Sequence, residues 1–171
     1  MVVNESLDEY QKKGLVEPIS WLDFLEDLDT LVKKIHAGMD INRIVGMPRR
    51  GLIPAALLSL KLRTEVVMYD KNYLYIRGDL LVDDDCVCGR RMKMIKKKFS
   101  KLKTAVVYVS EQNRNEVDFF GKILKFKEAD QKQRFILYPW MFHLLPVFPP
   151  SKDKLKSFGT DFDKILVGEV K

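Results

Sequence analysis

Cysteine is scarce in this chain, and its scarcity narrows the class of protein. Cys86 and Cys88 are the two cysteines among 171 residues, and a single residue separates them. That spacing is poor for a disulfide, and the further cysteine and histidine cluster that a zinc site needs is missing. The sequence therefore excludes a disulfide-stapled secreted domain and a zinc module, and we expect a reduced, cytoplasmic setting.

Long hydrophobic runs, repeats and linkers are missing as well. No stretch of about 18 apolar residues occurs, so we predict no membrane span. Residues 1–10 carry acids rather than an apolar core, which argues against a secretory signal. Without repeats or a low-complexity linker, we expect one domain at residues 19–142. We expect an arm at 1–18 before it and, after it, a proline-containing tail at 143–171 that packs on the domain.

Positive charge exceeds negative charge, with 30 lysines and arginines against 24 aspartates and glutamates, for a net charge of +6. A basic surface suits nucleic acid, and it equally suits a small anionic ligand in a positive cleft. Eight of the basic residues lie in the run 90–103. A solvated helix face is the default interpretation of such a run, so nucleic-acid binding is kept as an alternative that is not favoured.

Hydrophobic periodicity alternates between helix-like and strand-like segments. Ser20 and Asp23 have capping-box spacing at the start of a helix, and Gly38 is placed to end it. The next helix-like segment is almost wholly apolar, which predicts a buried helix. We predict helices at 20–38, 52–62, 91–99 and 116–126, strands at 43–47, 65–70, 80–82, 104–109 and 134–138, and part of a hairpin at 73–77.

This alternation predicts an α/β fold, with a doubly wound, mostly parallel sheet flanked by helices. In such a sheet, ligands bind at the carboxyl ends of the strands, near the point where the strand order reverses. The chemistry is therefore expected in the turns that follow Met47, Asp70, Val82 and Tyr138.

The sharpest segment covers residues 80–91, which read LLVDDDCVCGRR. An apolar strand ends in adjacent carboxylates, Asp83 and Asp84, and a short loop with one glycine then leads into a basic helix. Carboxylates at a strand end accept hydrogen bonds from sugar hydroxyls and help to hold Mg²⁺. Backbone N–H groups at a helix N-terminus bind phosphate. The pattern favours a sugar-phosphate site, and a solvated, Asp-rich turn that caps a helix is the alternative.

Two further segments complete a recognisable series. Residues 44–58 read IVGMPRRGLIPAALL, and residues 135–140 read FILYPW. In this order and at these separations, the three segments resemble the type I phosphoribosyltransferases, nearest to the purine-salvage members. They match, in turn, that family's pyrophosphate loop, its phosphoribosyl pyrophosphate motif and the segment that closes its base site. The resemblance covers residues 20–142 and implies a single domain with a short or reduced hood.

The resemblance also implies roles for individual residues. Asp83 and Asp84 match the acids that contact the ribose hydroxyls and the Mg²⁺ cofactor, and Arg49 matches a group that contacts the leaving pyrophosphate. We take these three as candidate catalytic residues. The remaining candidates for substrate binding are Arg50, Gly51, Tyr69, Asp85, Cys86, Val87, Cys88, Gly89, Arg90, Arg91, Tyr138 and Trp140.

The implied reaction moves ribose 5-phosphate from phosphoribosyl pyrophosphate to a nucleobase, a purine by nearest resemblance, in a homodimeric enzyme. Three positions of the phosphate loop depart from the family pattern, because Val87, Cys88 and Arg91 stand where threonine or serine is usual. Val87 also occupies the position of the aspartate that serves as the general base in 6-oxopurine enzymes. The alternative is therefore a catalytically silent protein of the same fold that binds a nucleotide or nucleic acid.

Overall fold

The computed structural model describes residues 16–70, 72–125 and 135–141. Contacts within the chain divide it into two compact units. The larger is Phe24–Lys125, and the smaller consists of Met1–Asp23 and Phe126–Lys171. Most of the predicted arm and the whole predicted tail lie outside the described residues, so the predicted domain boundaries stay predictions.

Along the described chain, strands and helices alternate much as the periodicity predicts. The strands are β1 Val16–Pro18, β2 Arg43–Gly46, β3 Glu65–Met68, β4 Asp79–Cys86, β5 Lys103–Ser110, β6 Phe119–Leu124 and β7 Phe135–Leu137. The helices are α1 Trp21–Gly38, α2 Leu52–Leu62 and α3 Arg90–Lys98, and 3₁₀ segments lie at Arg49–Gly51 and Glu111–Glu116.

Within the described residues, the larger unit contains a five-stranded parallel sheet in the order β3-β2-β4-β5-β6. From β2 the chain passes through α2 to β3 on one side, whereas from β4 it passes through α3 to β5 on the other. Because such crossovers are right-handed, the two helices cover opposite faces. The reversal leaves a crevice between the carboxyl ends of β2 and β4. The predicted doubly wound α/β fold is confirmed.

The helix starts follow local sequence signals. Asp23 N–H donates to Ser20 Oγ at 3.1 Å, and Ser20 N–H donates to Asp23 Oδ2 at 3.4 Å, so the predicted capping box opens α1. In the larger unit α1 buries one apolar face, made of Phe24, Leu28, Leu31 and Ile35. Helix α2 has the predicted bounds, but Leu60 is 76% exposed, so the predicted burial is correct for only part of the helix.

The helix predicted at 116–126 was also wrong. This part of the chain forms the second 3₁₀ segment and then β6, which pairs with β5. Asp118 Oδ2 accepts hydrogen bonds from the Thr104 N–H and hydroxyl, both at 3.0 Å. A Cβ on Gly121 would lie 2.8 Å from the Val107 carbonyl oxygen. Pairing with a buried neighbour therefore overrides a weak local helical pattern.

No strand occurs in the described part of 73–77, where part of a hairpin was predicted. This segment instead carries the chain from β3 to the start of β4, and the buried carboxylate of Asp79 holds it. Asp79 accepts from Tyr73 Oη at 2.6 Å, from the Ile76 N–H at 2.9 Å and from two nitrogens of Arg43 at 2.8 and 3.0 Å. Segment 73–77 is thus held at the amino ends of β2 and β4.

The described part of the smaller unit is a parallel pair of strands, β1 and β7. The Ile19 N–H extends this pairing by donating to the Leu137 carbonyl at 3.0 Å. Tyr138 stacks on Trp140 with ring centroids 4.6 Å apart, and Trp21 lies 5.7 Å from Trp140. None of the helices in the described part of the chain is long and apolar enough to span a membrane.

Candidate active site

Strand β4 carries the acidic residues inside the sheet rather than after it. The predicted strand 80–82 was too short, because pairing with β5 continues from Asp83 opposite Val106 to Cys86 opposite Val109. Of the candidate binding residues 85–91, only residues 87–89 therefore form a loop. Asp85 and Cys86 belong to the strand, and Arg90 and Arg91 belong to α3.

Asp84 is a fully buried carboxylate at the carboxyl end of the sheet. Burial raises its pKa well above the ordinary value; Arg50 opposes the rise, and the nearby carboxylates of Asp85 and Asp83 add to it. Arg50 Nε lies 3.0 Å from Asp84 Oδ2, and Arg50 Nη2 lies 3.4 Å from Asp85 Oδ2. Among the described residues no donor makes a hydrogen bond to either oxygen of Asp84. Its oxygens therefore lie beside a guanidinium but keep their capacity to accept a hydrogen bond from a ligand hydroxyl.

Asp83 has a different cation. Arg91 Nη1 at the start of α3 donates to Asp83 Oδ2 at 2.7 Å, and the Asp84 N–H donates to Asp83 Oδ1 at 3.0 Å. The negative charge of Asp83 raises the pKa of Arg91 although burial opposes it. The two acids that the sequence presents as a pair thus have separate guanidinium partners.

The turn after β2 lies directly against these acids. A Cβ on Gly51 would come within 2.8 Å of Asp83 Oδ1, so only glycine fits there. Arg49 has φ of +69°, a left-handed conformation that is strained for a residue with a side chain. Backbone strain at such a turn is typical of ligand-binding positions. The structure therefore brings this turn and the β4 acids together at the predicted switch in strand order.

The loop 87–89 is held from behind by residues that the sequence analysis missed. Asn113 Nδ2 donates to the Val87 carbonyl at 2.6 Å, and Ser110 Oγ donates to the same oxygen at 3.0 Å. Gly89 has φ of +71°, and a Cβ there would overlap Asn113 Oδ1. No local pattern predicts these contacts, because more than twenty residues separate the partners along the chain.

Proteins of similar sequence and similar structure are known, although no family model matches the chain. A xanthine-guanine phosphoribosyltransferase from Idiomarina loihiensis is 27% identical over 152 residues, which cover 77% of this chain and 90% of that protein. A xanthine-guanine-hypoxanthine phosphoribosyltransferase structure from Helicobacter pylori matches with a TM-score of 0.56 and 20% identity, over 83% of this chain and 99% of that one. The chain has the type I phosphoribosyltransferase fold.

Two other solved structures agree on this fold. A purine phosphoribosyltransferase from Pyrococcus horikoshii matches with a TM-score of 0.56 and 18% identity, over 74% of this chain and 93% of that one. A protein from Neisseria gonorrhoeae, solved with bound ppGpp, matches with a TM-score of 0.58 and 17% identity, over 77% of this chain and 92% of that one. The predicted resemblance to the type I phosphoribosyltransferases is confirmed.

The other predicted substrate-binding residues of this type I phosphoribosyltransferase fold differ in how deeply they are buried. The Tyr69 ring is buried, 5.2 Å from Tyr73, and burial raises its pKa. Burial likewise raises the pKa of Cys86 to about 12, so its thiol stays protonated, whereas Cys88 is exposed. Tyr138 and Trp140 belong to the smaller unit. Substrate contacts by these residues and by Arg90 stay predictions.

Mg²⁺ is the metal that this fold implies. Among the described residues, no group of three or more histidine, cysteine or acidic side chains is placed to hold a metal. Mg²⁺ does not require one, because it commonly binds through one or two carboxylates together with water and substrate phosphates. The buried oxygens of Asp84, which accept no hydrogen bond from the described residues, fit that requirement. Each acid already lies beside a guanidinium, Asp84 beside Arg50 and Asp83 beside Arg91, and Asp83 in addition accepts a hydrogen bond from its arginine.

Proposed function

We propose that this protein transfers ribose 5-phosphate from phosphoribosyl pyrophosphate to a purine base and releases pyrophosphate. The observation that carries the proposal is the placement of Asp84. Its buried carboxylate accepts no hydrogen bond from the described residues, and it lies between an arginine-bearing turn and a loop that opens a helix. The xanthine-guanine phosphoribosyltransferase relative, at 27% identity, supports the reaction and the purine acceptor.

Each part of the substrate has a matching part of the site. The 5-phosphate would bind the backbone N–H groups of loop 87–89 and the first turn of α3, where the helix dipole favours an anion. The ribose hydroxyls would donate to Asp84 and Asp83. Arg49 and Arg50 would present planar forks of donors to the pyrophosphate.

The reaction needs no covalent nucleophile. The bond between the anomeric carbon and the pyrophosphate oxygen breaks, and the electron pair leaves with pyrophosphate. A ring nitrogen of the base then forms the new bond to that carbon and releases its proton to water. Mg²⁺, when bound, stabilises the charge on the leaving group. The protein groups hold the ribose and stabilise charge as the oxocarbenium-like state forms, so catalysis comes from positioning and electrostatics.

The proposal extends to three finer expectations. We expect dependence on Mg²⁺ held by Asp83 and Asp84, a homodimer, and a cytoplasmic place in purine salvage. Each has its own measurement, respectively activity after chelation, sedimentation, and fractionation of cells.

Thermal unfolding with and without Mg²⁺ and phosphoribosyl pyrophosphate tests the site. Ligand at about 100 times its dissociation constant adds roughly 2.7 kcal/mol to the free energy of unfolding, which raises Tm by a few degrees. Asp84→Asn should lose this shift and abolish transfer while it keeps the fold. Asp29→Asn is the matched control, since Asp29 forms an exposed ion pair with Lys61. No shift in the wild type at millimolar ligand would reject the transferase.

A second candidate function is nucleotide binding without turnover. It is favoured by the two arginines that already face the β4 acids, Arg91 on Asp83 and Arg50 on Asp84. The Neisseria gonorrhoeae structure of the same fold, solved with bound ppGpp, adds support. A Tm shift with ppGpp, together with no transfer to adenine, guanine, hypoxanthine or xanthine, would establish it. Transfer to any of these bases would reject it.

A further inference from the structure

We propose that Arg50 is a tethered cation that closes the Asp84 and Asp85 carboxylates to divalent metal until a phosphate ligand draws it away. The exclusion of metal follows from the geometry of the free protein. The identity of the ligand, the pyrophosphate group, rests on the proposed function.

The contacts place one guanidinium across two successive acids of β4. Arg50 Nε is 3.0 Å from Asp84 Oδ2, and Arg50 Nη2 is 3.4 Å from Asp85 Oδ2. The Asp84 side chain is fully buried and the Asp85 side chain is 15% exposed, whereas Arg50 is 33% exposed. The arginine therefore lies on the solvent side of both carboxylates.

A divalent metal is disfavoured at this cluster for two reasons. Mg²⁺ binds carboxylate oxygens at about 2.1 Å, and a guanidinium 3.0 Å from Asp84 Oδ2 would stand within the metal's own coordination shell. The charge balance also opposes it, because Arg50 and Arg91 already supply two positive charges to the three acids Asp83, Asp84 and Asp85. With Arg50 turned away, the cluster regains the negative charge that attracts a divalent ion.

A phosphate ligand provides the means to move Arg50. The planar guanidinium binds phosphate oxygens through two parallel hydrogen bonds, and pyrophosphate carries more charge than a single carboxylate. Arg50 is part-exposed and lies in the turn after β2, so its side chain can rotate towards a ligand in the crevice. Metal and pyrophosphate should then bind with positive coupling, each tightening the other.

The first experiment titrates Mn²⁺, as a detectable substitute for Mg²⁺, into proteins that hold no phosphate ligand. Arg50→Gln should bind Mn²⁺ at least roughly fivefold more tightly than the wild type, the lower end of coupling between linked sites. Adding Asp84→Asn to this variant should remove the gain. Arg114→Gln is the matched control, because it removes the same charge from an exposed pair with Glu111. Equal Mn²⁺ affinity in wild type and Arg50→Gln would overturn the proposal.

The second experiment adds inorganic pyrophosphate and subtracts a titration without protein. Pyrophosphate should tighten Mn²⁺ binding to the wild type, and this coupling should vanish in Arg50→Gln. Coupling that persists unchanged in the variant would overturn the release step. If Arg50→Gln fails to fold, Arg50→Lys replaces it: a single ammonium cannot span both acids, so Mn²⁺ affinity should still rise, and an unchanged affinity would count against the proposal. Neither titration contains a nucleobase or requires turnover, so failure of the transferase proposal leaves the exclusion of metal standing.

Discussion

At the scale of single residues, the site concentrates unfavourable groups in one place. Asp84 carries a buried carboxylate whose pKa burial raises, and Arg49 holds a left-handed backbone conformation. Groups of this kind cost stability where they stand and are typical of functional positions. Function and stability should therefore respond in opposite directions when these two residues are changed.

Asp84→Asn should stabilise the fold at neutral pH. Because the pKa of Asp84 is raised in the folded protein, its contribution to stability is fully present when the pH is below the ordinary pKa of 3.8. That contribution is lost as the pH rises through the folded-state pKa. The buried Asp84 carboxyl therefore lowers the free energy of unfolding at pH 7, and asparagine removes that cost. We expect a gain of about 0.5–2 kcal/mol, seen as a higher Tm in calorimetry.

The gain in Tm from Asp84→Asn should shrink as the solution is acidified to about pH 3. There the Asp84 carboxyl is protonated in both the folded and the unfolded protein. Asp29→Asn, at an exposed ion pair, should change Tm little at any pH. A lower Tm for Asp84→Asn at pH 7 would contradict the proposed electrostatic burden.

Arg49→Gly should relieve backbone strain and weaken ligand binding at once. The left-handed conformation costs a non-glycine residue about 1–2 kcal/mol. Glycine removes this strain but also raises the conformational entropy of the unfolded chain, so we expect the free energy of unfolding to rise by no more than about 1 kcal/mol. Loss of the guanidinium should weaken binding of Mg²⁺–phosphoribosyl pyrophosphate by about tenfold or more, measured by calorimetric titration.

Arg63→Gly supplies the matched control for the Arg49 variant. Arg63 has φ of +54° at the C-terminal cap of α2, so it carries the same kind of strain. It should gain similar stability with unchanged ligand affinity. Equal loss of affinity in both variants would show that the effect at Arg49 is not local.

At the scale of elements, β4 and β5 together shape the site. Pairing extends β4 through the acids, and the residues that follow β5 hold loop 87–89 by its Val87 carbonyl. The position of loop 87–89 thus depends on residues after β5 that the sequence motifs do not include. A change behind the loop should alter binding although it touches no ligand.

Asn113→Ala tests this dependence. Loss of a side chain to backbone hydrogen bond should cost about 1 kcal/mol of stability, and the released loop should bind ribose 5-phosphate several-fold more weakly. Asn42→Ala is the matched control, because Asn42 Nδ2 donates to the Arg77 carbonyl at 2.8 Å near the amino end of the sheet. Asn42→Ala should lose as much stability as Asn113→Ala, while its affinity for ribose 5-phosphate, measured by calorimetric titration, stays unchanged. Equal loss of affinity in both variants would contradict a specific role for Asn113.

The segment before β4 depends on Asp79 in the same way. Burial by itself would raise the pKa of Asp79, but hydrogen bonds from Arg43 and Tyr73 outweigh burial and lower it. Its contribution is therefore present above the ordinary value of 3.8 and is lost as pH falls through the folded-state pKa. Asp79→Asn should cost about 3 kcal/mol at pH 7 in urea unfolding, and the deficit should narrow towards pH 2. A constant deficit across this range would reject the ionic contribution.

At the scale of the whole molecule, the basic run is partly neutralised within its own unit. Lys93 pairs with Glu116 at 3.4 Å, and Lys96 and Lys103 pair with Asp118 at 3.4 and 2.8 Å. Arg91 pairs with Asp83. These pairs reduce the positive field that a nucleic acid would meet, and they favour a structural role for part of the run.

We therefore expect weak, non-specific binding of single-stranded RNA that falls steeply with salt. Fluorescence anisotropy at two salt concentrations should detect it, and phosphoribosyl pyrophosphate at saturating concentration should not compete. Tight binding that persists at high salt would instead bring the nucleic-acid alternative forward.

The sequence by itself determined the alternation of helices and strands, the capped start of α1, the bounds of α2 and the meeting of an acidic strand with an arginine turn. These features follow from signals within a few residues, namely periodicity, caps and turn residues. The acids could be placed at a ligand edge because parallel strands share their carboxyl ends.

The tertiary structure alone decided how far β4 extends, that β6 is a strand, that Arg50 faces Asp84, and that Asn113 supports loop 87–89. Each of these depends on partners far apart along the chain. Strand pairing and ion pairing depend on which surfaces come into contact when the core forms. Patterns within a few residues of sequence do not predict those contacts.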